Sequence, residues 1–164
     1  MFLHKGEVLF RQGESGPLFE LKSGLLKVVR VQEDGTASLL NLILPGEVIP
    51  HHSLISQKDY HGTAIALLPA EVEVIPEKQW YKGLSENPEK YREVALLLQT
   101  RLRMMQQRID QLTAVSTKER VILLQNWFQQ YFPGLSVKDV LTQEEIGQFV
   151  GLRRETVNRV LRHL

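Results

Sequence analysis

Along roughly the first eighty residues, apolar positions come in short runs or alternate with polar ones. The runs EVLF, LFELKSG, LLKVVRV, ASLLNLIL, TAIALL and EVEVI each have the length and pattern of a β-strand. Turn residues stand between them: GESGP at Gly13–Pro17, Ser23-Gly24, EDGT at Glu33–Thr36 and PGE at Pro45–Glu47. Asp34-Gly35 between two β-rich runs predicts a hairpin, because glycine takes the positive φ that a tight turn demands. Turns about every ten residues predict a compact antiparallel barrel, roll or sandwich, with strands to about Trp80.

The pattern changes at SENPEKYREV. Asn87 followed by Pro88 predicts a helix start, with a side-chain cap and then proline where its missing N–H costs nothing. Beyond it Tyr91, Ala95, Leu98, Leu102, Met105, Ile109 and Leu112 alternate at spacings of 4 and 3, an a/d seam of about three heptads. Such a stripe either packs on its own domain or pairs with a second copy in a dimer, and the latter is the expectation here. Leu96 and Leu97 widen the stripe, as expected if one side also touches the β-rich part. Ser116–Glu119 (STKE) predicts a second helix with a capping box, running to about Tyr131 and stopped by Pro133-Gly134. A polar connector, LSVKDV, then leads to a second capping box at Thr142–Glu145.

From Thr142 two short helices meet at VGL. On a helix over Arg153–Leu164, the residues Val157, Val160, Leu161 and Leu164 share one face and are expected to pack inward. Arg154, Glu155, Asn158, Arg159 and Arg162 share the other. Gly147 and Gly151 are small where two helices must approach closely, and Gly151 also suits a tight turn. This is the spacing of a helix–turn–helix, whose second helix enters the major groove. Arginine forks onto guanine O6 and N7, and glutamate accepts from cytosine N4. A carboxylate repels phosphate, so Glu155 suits a sequence reader better than a non-specific clamp. The bland alternative is an ordinary surface pair between Glu155 and Arg159, about 0.3–0.5 kcal/mol.

Composition narrows the function. The net charge is +1, yet Met1–Leu84 holds 8 basic and 10 acidic residues, whereas Ser85–Leu164 holds 12 and 9. A polyanionic partner is therefore expected at the second half. The absence of cysteine excludes disulfides and thiolate metal sites and fits the cytoplasm. No run suits a bilayer span or a signal peptide, so no membrane role is expected.

QEEIGQFVGLRRETVNRVL resembles the recognition segment of the CRP/FNR family of bacterial transcription regulators, with its R-E-T-V-x-R core. GEVLFRQGE, SGLLKVV, EDGTASLLNLILPGEV and ALLPAEVEVIP resemble the family's β-roll sensor, and the heptad helix sits where its dimerisation helix sits. The resemblance implies an α+β chain: an antiparallel β-roll over residues 1–84, a dimerisation helix over 85–115 and a helix–turn–helix over 116–164. It implies a homodimer on a palindromic double-stranded DNA site, with a G·C-bearing core like the TGTGA of well-known members. RNA polymerase and a small effector are further candidate partners. Arg154, Glu155 and Arg159 would read bases. Thr142 and Thr156 would touch phosphates, with Arg153, Asn158 and Arg162 as auxiliary contacts. Two departures stand out. Arg153 replaces a serine suited to capping, and the β-hairpin wing that usually follows this helix is not present before the sequence stops at Leu164.

In nucleotide-binding members a Gly-Glu pair and a later Arg-Ser pair hold the cyclic nucleotide. Gly46 and Glu47 match the first, whereas DYHGTAIAL (Asp59 to Leu67) contains no arginine for the phosphate. cAMP is therefore not the expected effector, and Glu47 has the alternative reading of a turn cap paired with a nearby base. A cupin-like metal enzyme is the competing class, because PGEVIPHH echoes a cupin strand; a plain small-molecule-binding roll is another. Adjacent residues on a strand point oppositely, so His51 and His52 cannot share a metal, and no H-x-H spacing occurs. No metal, no cofactor and no enzyme activity are expected.

Overall fold

The computed structural model describes Met1–Leu164, which divide into two compact units, Met1–Leu102 and Arg103–Leu164. The first is built on one antiparallel six-stranded sheet: β1 (Phe2–Leu3), β2 (Val8–Phe10), β3 (Leu18–Val31), β4 (Ala37–Ile43), β5 (Val48–Ile49) and β6 (Thr63–Ile75). The long strands β3 and β6 pair from Leu18↔Ile75 to Val29↔Thr63 and form the spine. The short strands line its two edges, β1 and β2 on β6 and β4 and β5 on β3. Leu21, Leu26, Ile43, Ile49, Ala66 and Val72 fill the interior with the stacked rings of Phe10, Phe19 and Tyr60. Ala64, Ala66 and Ala70 of β6 are buried in the same cluster.

Asp34-Gly35 does form the tip of the β3–β4 hairpin: Gly35 has φ +83°, and the Gln32 N–H donates to the Thr36 carbonyl across it. Ser23-Gly24, expected as a turn, is instead a bulge inside a continuous β3, where the pairing with β6 slips register. Gly24 has φ +92°, and a Cβ there would lie 2.3 Å from the Pro69 carbonyl oxygen. Pro69, which has no N–H to give a ladder, sits at this irregularity in β6. Two runs on each side of a glycine or proline therefore read as separate strands while the backbone runs through.

The expectation of strands to about Trp80 also fails. Strand β6 ends at Ile75, and α1 (Glu77–Glu86) follows Pro76 directly. Trp80 and Leu84, four apart, are its buried residues, and Trp80 Nε1 donates to the Leu54 carbonyl at 2.8 Å. Trp80, Leu84 and the half-buried Tyr81 have the spacing of one helix face, not the alternation of a strand. Trp80, Leu84, Leu18, Val48 and Leu54 form a second core with Val94 of α2 (Pro88–Thr113). The Asn87 side chain caps α2 by accepting from the Glu89 N–H at 3.1 Å.

The residues of α2 divide by exposure. Val94, with the half-buried Leu97 and Leu98, faces the second core, whereas Tyr91, Ala95, Leu96, Leu102, Met105 and Ile109 are exposed. The predicted seam is thus bare along most of its length within one chain. Leu98 is shared with the core, and Leu97 rather than Leu96 makes the contact expected of the widened stripe.

The second unit adds α3 (Thr117–Tyr131), α4 (Val137–Val140), α5 (Gln143–Val150) and α6 (Arg154–Leu161). Ser116 Oγ accepts from the Glu119 N–H, and α3 ends at Tyr131. The stretch expected as a polar connector holds the one-turn α4, whose Val137 and Val140 are buried. Gln125 of α3 holds its start, accepting from Ser136 Oγ and the Val137 N–H at 3.0 Å each.

The two kinds of glycine give a test. Gly24→Ala must both strain φ and displace the Pro69 carbonyl, and is expected to cost about 3 kcal/mol or more. Gly35→Ala, with nothing near its absent side chain, meets only the strain, about 1 kcal/mol. Urea midpoints of the two variants check this, and equal losses would remove the close approach at Gly24.

Candidate nucleic-acid interface and sensor turn

Thr142 Oγ1 accepts from the Glu145 N–H at 3.2 Å, and Glu145 Oε2 accepts in return from the Thr142 N–H at 2.9 Å, so the predicted capping box starts α5. The helix closes at Gly151 in the left-handed region, φ +69°. The Leu152 N–H donates to the Gly147 carbonyl at 2.8 Å, turning the chain toward α6. At Gly147 a Cβ would lie 2.4 Å from the Leu152 carbonyl oxygen and 3.6 Å from Val157 Cγ2. The joint therefore admits no side chain at Gly147, and only a residue tolerant of positive φ at Gly151.

Helix α6 packs by Val157 and Val160, with Leu161 half-buried. Leu164, expected on the same face, is exposed, because the helix ends at Leu161 and no longer carries residue 164 round to the core. Arg153 occupies the N-cap with no side-chain hydrogen bond, as the missing serine predicts. Arg154, Glu155, Arg159 and Arg162 are exposed, and Thr156 and Asn158 are half-buried beside them. Glu155 lies in the first turn and Arg159 in the last, both suited to the helix dipole. Yet no ion pair joins them: the ion pairs of the chain lie elsewhere, so three cations and one carboxylate stand unengaged on one face. Arg153, Arg154 and Glu155 also line an open depression against Glu144 and Gln148 of α5.

Behind this face, Phe149 of α5 is buried between the Trp127 ring of α3, 6.1 Å away, and the guanidinium of Arg108, 4.3 Å from its centroid. Leu112, the last residue of the expected seam, is half-buried; its Cδ2 lies 3.1 Å from where a Gly151 Cβ would be. Neither contact was legible in the sequence, where Arg108 lies off the apolar stripe and Leu112 belongs to it.

At the sensor turn Gly46 has φ +89°, and Glu47 is nearly enclosed. One carboxylate oxygen accepts from the Leu44 N–H at 2.7 Å; the other meets His51 Nε2 at 2.9 Å and Arg101 Nη1 at 3.3 Å. Burial pushes the Arg101 guanidinium below its usual pKa range, and the Glu47 charge opposes that shift. Arg101 comes from α2, and only its place beside the seam marked it in the sequence. Glu47 is thus both the turn cap and the partner of a base.

The histidines lie on a 3₁₀ turn, His51–Ser53, and not on a strand as expected, so alternation is not what separates them. They diverge all the same. His51 meets Glu47, while His52 Nε2 meets the Asp59 carbonyl at 2.9 Å. His61 Nε2 meets Arg30 Nη1 at 2.8 Å, and burial, with Arg30 and His52 nearby, lowers its pKa. No group of three His, Asp or Glu side chains comes together as metal ligands would. No helix is long and apolar enough to cross a membrane.

Residues 1–87 match the family model of the cyclic nucleotide-binding domain, and residues 119–164 that of the Crp-like helix-turn-helix domain. Among curated proteins, the chain is 28% identical over 163 residues to the CRP-like cAMP-activated global transcriptional regulator of Mycobacterium tuberculosis, covering 96% of this chain and 73% of that one. It is 29% identical over 164 residues to the transcriptional activator protein anr of Pseudomonas aeruginosa, covering 96% and 67%. A CRP-family transcriptional regulator from Thermus thermophilus shares the fold, with a TM-score of 0.81 at 23% identity over 100% of this chain and 83% of that one. These matches are to regulators and not to enzymes, and they give the cupin alternative no support. With a cyclic-nucleotide-binding-like roll at one end and a DNA-binding helix–turn–helix at the other, the chain belongs to the CRP/FNR family of transcription regulators.

Proposed function

We propose that this regulator reads a palindromic DNA site as a homodimer, with Arg154, Glu155 and Arg159 of α6 on base edges. The carrying observation is the exposed face of α6, where these side chains make no ion pair with one another. Free arginine forks match guanine, and a free carboxylate among them discourages every sequence except one that offers it a donor. Thr142, Arg153, Thr156, Asn158 and Arg162 surround the readers and act on phosphates or as auxiliary contacts. Thr142 is suited to this, since its hydroxyl accepts from the Glu145 N–H and keeps its own hydrogen to donate.

On this reading residues 1–84 are the sensor, 85–115 the dimerisation helix and 116–164 the reading domain. The seam of Tyr91, Ala95, Leu98, Leu102, Met105, Ile109 and Leu112 pairs with its twin. That would place two reading helices about one turn of DNA apart, roughly 34 Å. The protein works in the cytoplasm, with RNA polymerase as a candidate partner. Any small effector acts at the roll around Gly46 and Glu47, and must bind two arrangements of the protein unequally to have an effect. Cyclic AMP is not that effector: the Glu47 carboxylate already holds three donors, and residues 59–67 offer a phosphate no arginine.

Three measurements follow. Arg154→Ala or Arg159→Ala is expected to lose about 1–3 kcal/mol on a sequence obtained by random-site selection and to relax the base preference. Equal losses on scrambled duplex would reassign those arginines to phosphates. Leu102→Glu combined with Ile109→Glu should give a monomer by sedimentation, and an unchanged mass removes the dimer. Calorimetry with cAMP should show no binding in the micromolar range, and a micromolar Kd overturns that exclusion.

A further inference from the structure

We propose that Arg108 is a positioning residue for DNA reading: its guanidinium, seated on the Phe149 ring, fixes α5 and so aims the reading face of α6. The inference rests on the base-reading proposal above. The contact is well placed for strength, since the Cζ atom lies 4.3 Å from the ring centroid and Phe149 is buried. A cation over a desolvated ring is held more firmly than one at an open surface. One turn further along α2, Leu112 lies against Gly151. The last turns of α2 therefore grip α5 at Phe149 and Gly151, two positions flanking its C-terminus.

What α2 fixes at α5 passes to α6 because their joint has no slack. The Leu152 carbonyl fills the space beside Gly147, the Leu152 N–H donates back to the Gly147 carbonyl at 2.8 Å, and Val157 packs against the same spot. A tilt of α5 must carry α6 with it. An aliphatic residue at position 108 would also cover Phe149, but a planar guanidinium on a ring face restricts tilt as well as distance. Base contacts are sensitive to shifts of about 0.5 Å, whereas flexible side chains on phosphates follow the backbone. Loss of Arg108 is therefore expected to reduce discrimination more than general affinity.

The test uses the full chain and two duplexes, the selected sequence and its scramble, titrated over a range of salt. Arg108→Met keeps the stem and the helix propensity but removes the plane and the charge. It is expected to lose about tenfold on the selected sequence, with scrambled binding, salt slope and sedimentation mass unchanged. Arg108→Lys, which keeps the charge without the plane, should fall between. In an Arg108→Met, Phe149→Leu cycle, the losses of discrimination should be clearly less than additive, since the contact between the two side chains is lost in either single variant. Equal losses on both duplexes with a shallower salt slope would make Arg108 a phosphate contact and overturn the inference. So would full discrimination by Arg108→Met beside a discriminating wild type, or additive losses in the cycle. A wild type that never prefers its selected sequence overturns base reading itself, and this inference with it.

Discussion

The Leu152 carbonyl oxygen stands where a side chain at position 147 would have to be. That contact sets how closely α6 can cross α5, and most of the second unit follows from it. Because the backbone of the turn rests on the backbone of α5, Val157 reaches the core and Val160 is carried in with it. A 3.6-residue period then leaves Arg154, Glu155 and Arg159 on the outside. Gly151 makes the reversal possible by taking positive φ, where another residue would be strained. The chemistry of the surface is thus a consequence of two glycines that contribute no chemistry themselves.

A different constraint governs the sensor turn. Enclosing a carboxylate costs several kcal/mol unless its lone pairs are met, and Glu47 meets that cost with one backbone N–H, an imidazole and a guanidinium. Arg101 is enclosed as well, and the desolvation that lowers its pKa is only opposed, not cancelled, by Glu47. Neither partner is cheaply released. A ligand that wanted the Glu47 carboxylate would have to replace two side-chain donors and leave a guanidinium without its anion. Around Gly46-Glu47 the side chains are thus satisfied from within the chain.

The capping residues, the hairpin glycine and the helix–turn–helix spacing were all legible in the sequence, because each is a local rule acting within about four residues. Ser116, Thr142, Asp34-Gly35 and Gly151 behave as their neighbours dictate. Some of what failed depended on partners distant in the chain. Ser23-Gly24 has the composition of a turn, yet it forms a bulge against Pro69 of the neighbouring β6. The connector before Thr142 looks polar, yet Ser136 and Asp139 make a capping box there, its start also held by Gln125 of α3, and its valines are buried. Of the candidate readers, their grouping on one face came from periodicity. Their freedom from one another did not, since Glu155 and Arg159 have the spacing of a salt bridge and do not form one.

Helix α2 shows how a single segment can carry several tasks on separate rows. Val94, Arg101 and Arg108 are seven residues apart, and seven residues return to nearly the same side of a helix, with a drift of about 20°. Each of the three is spent inside the chain: Val94 in the second core, Arg101 on Glu47, and Arg108 on Phe149. That row occupies the contacts the chain itself can offer. The adjacent row, from Tyr91 through Leu102 and Met105 to Ile109, is as apolar as a core and remains bare. A contiguous exposed stripe of this kind is unfavourable in water and prone to unspecific association. The heptad spacing that makes it a poor surface is the spacing that lets it mesh with a second helix of the same kind.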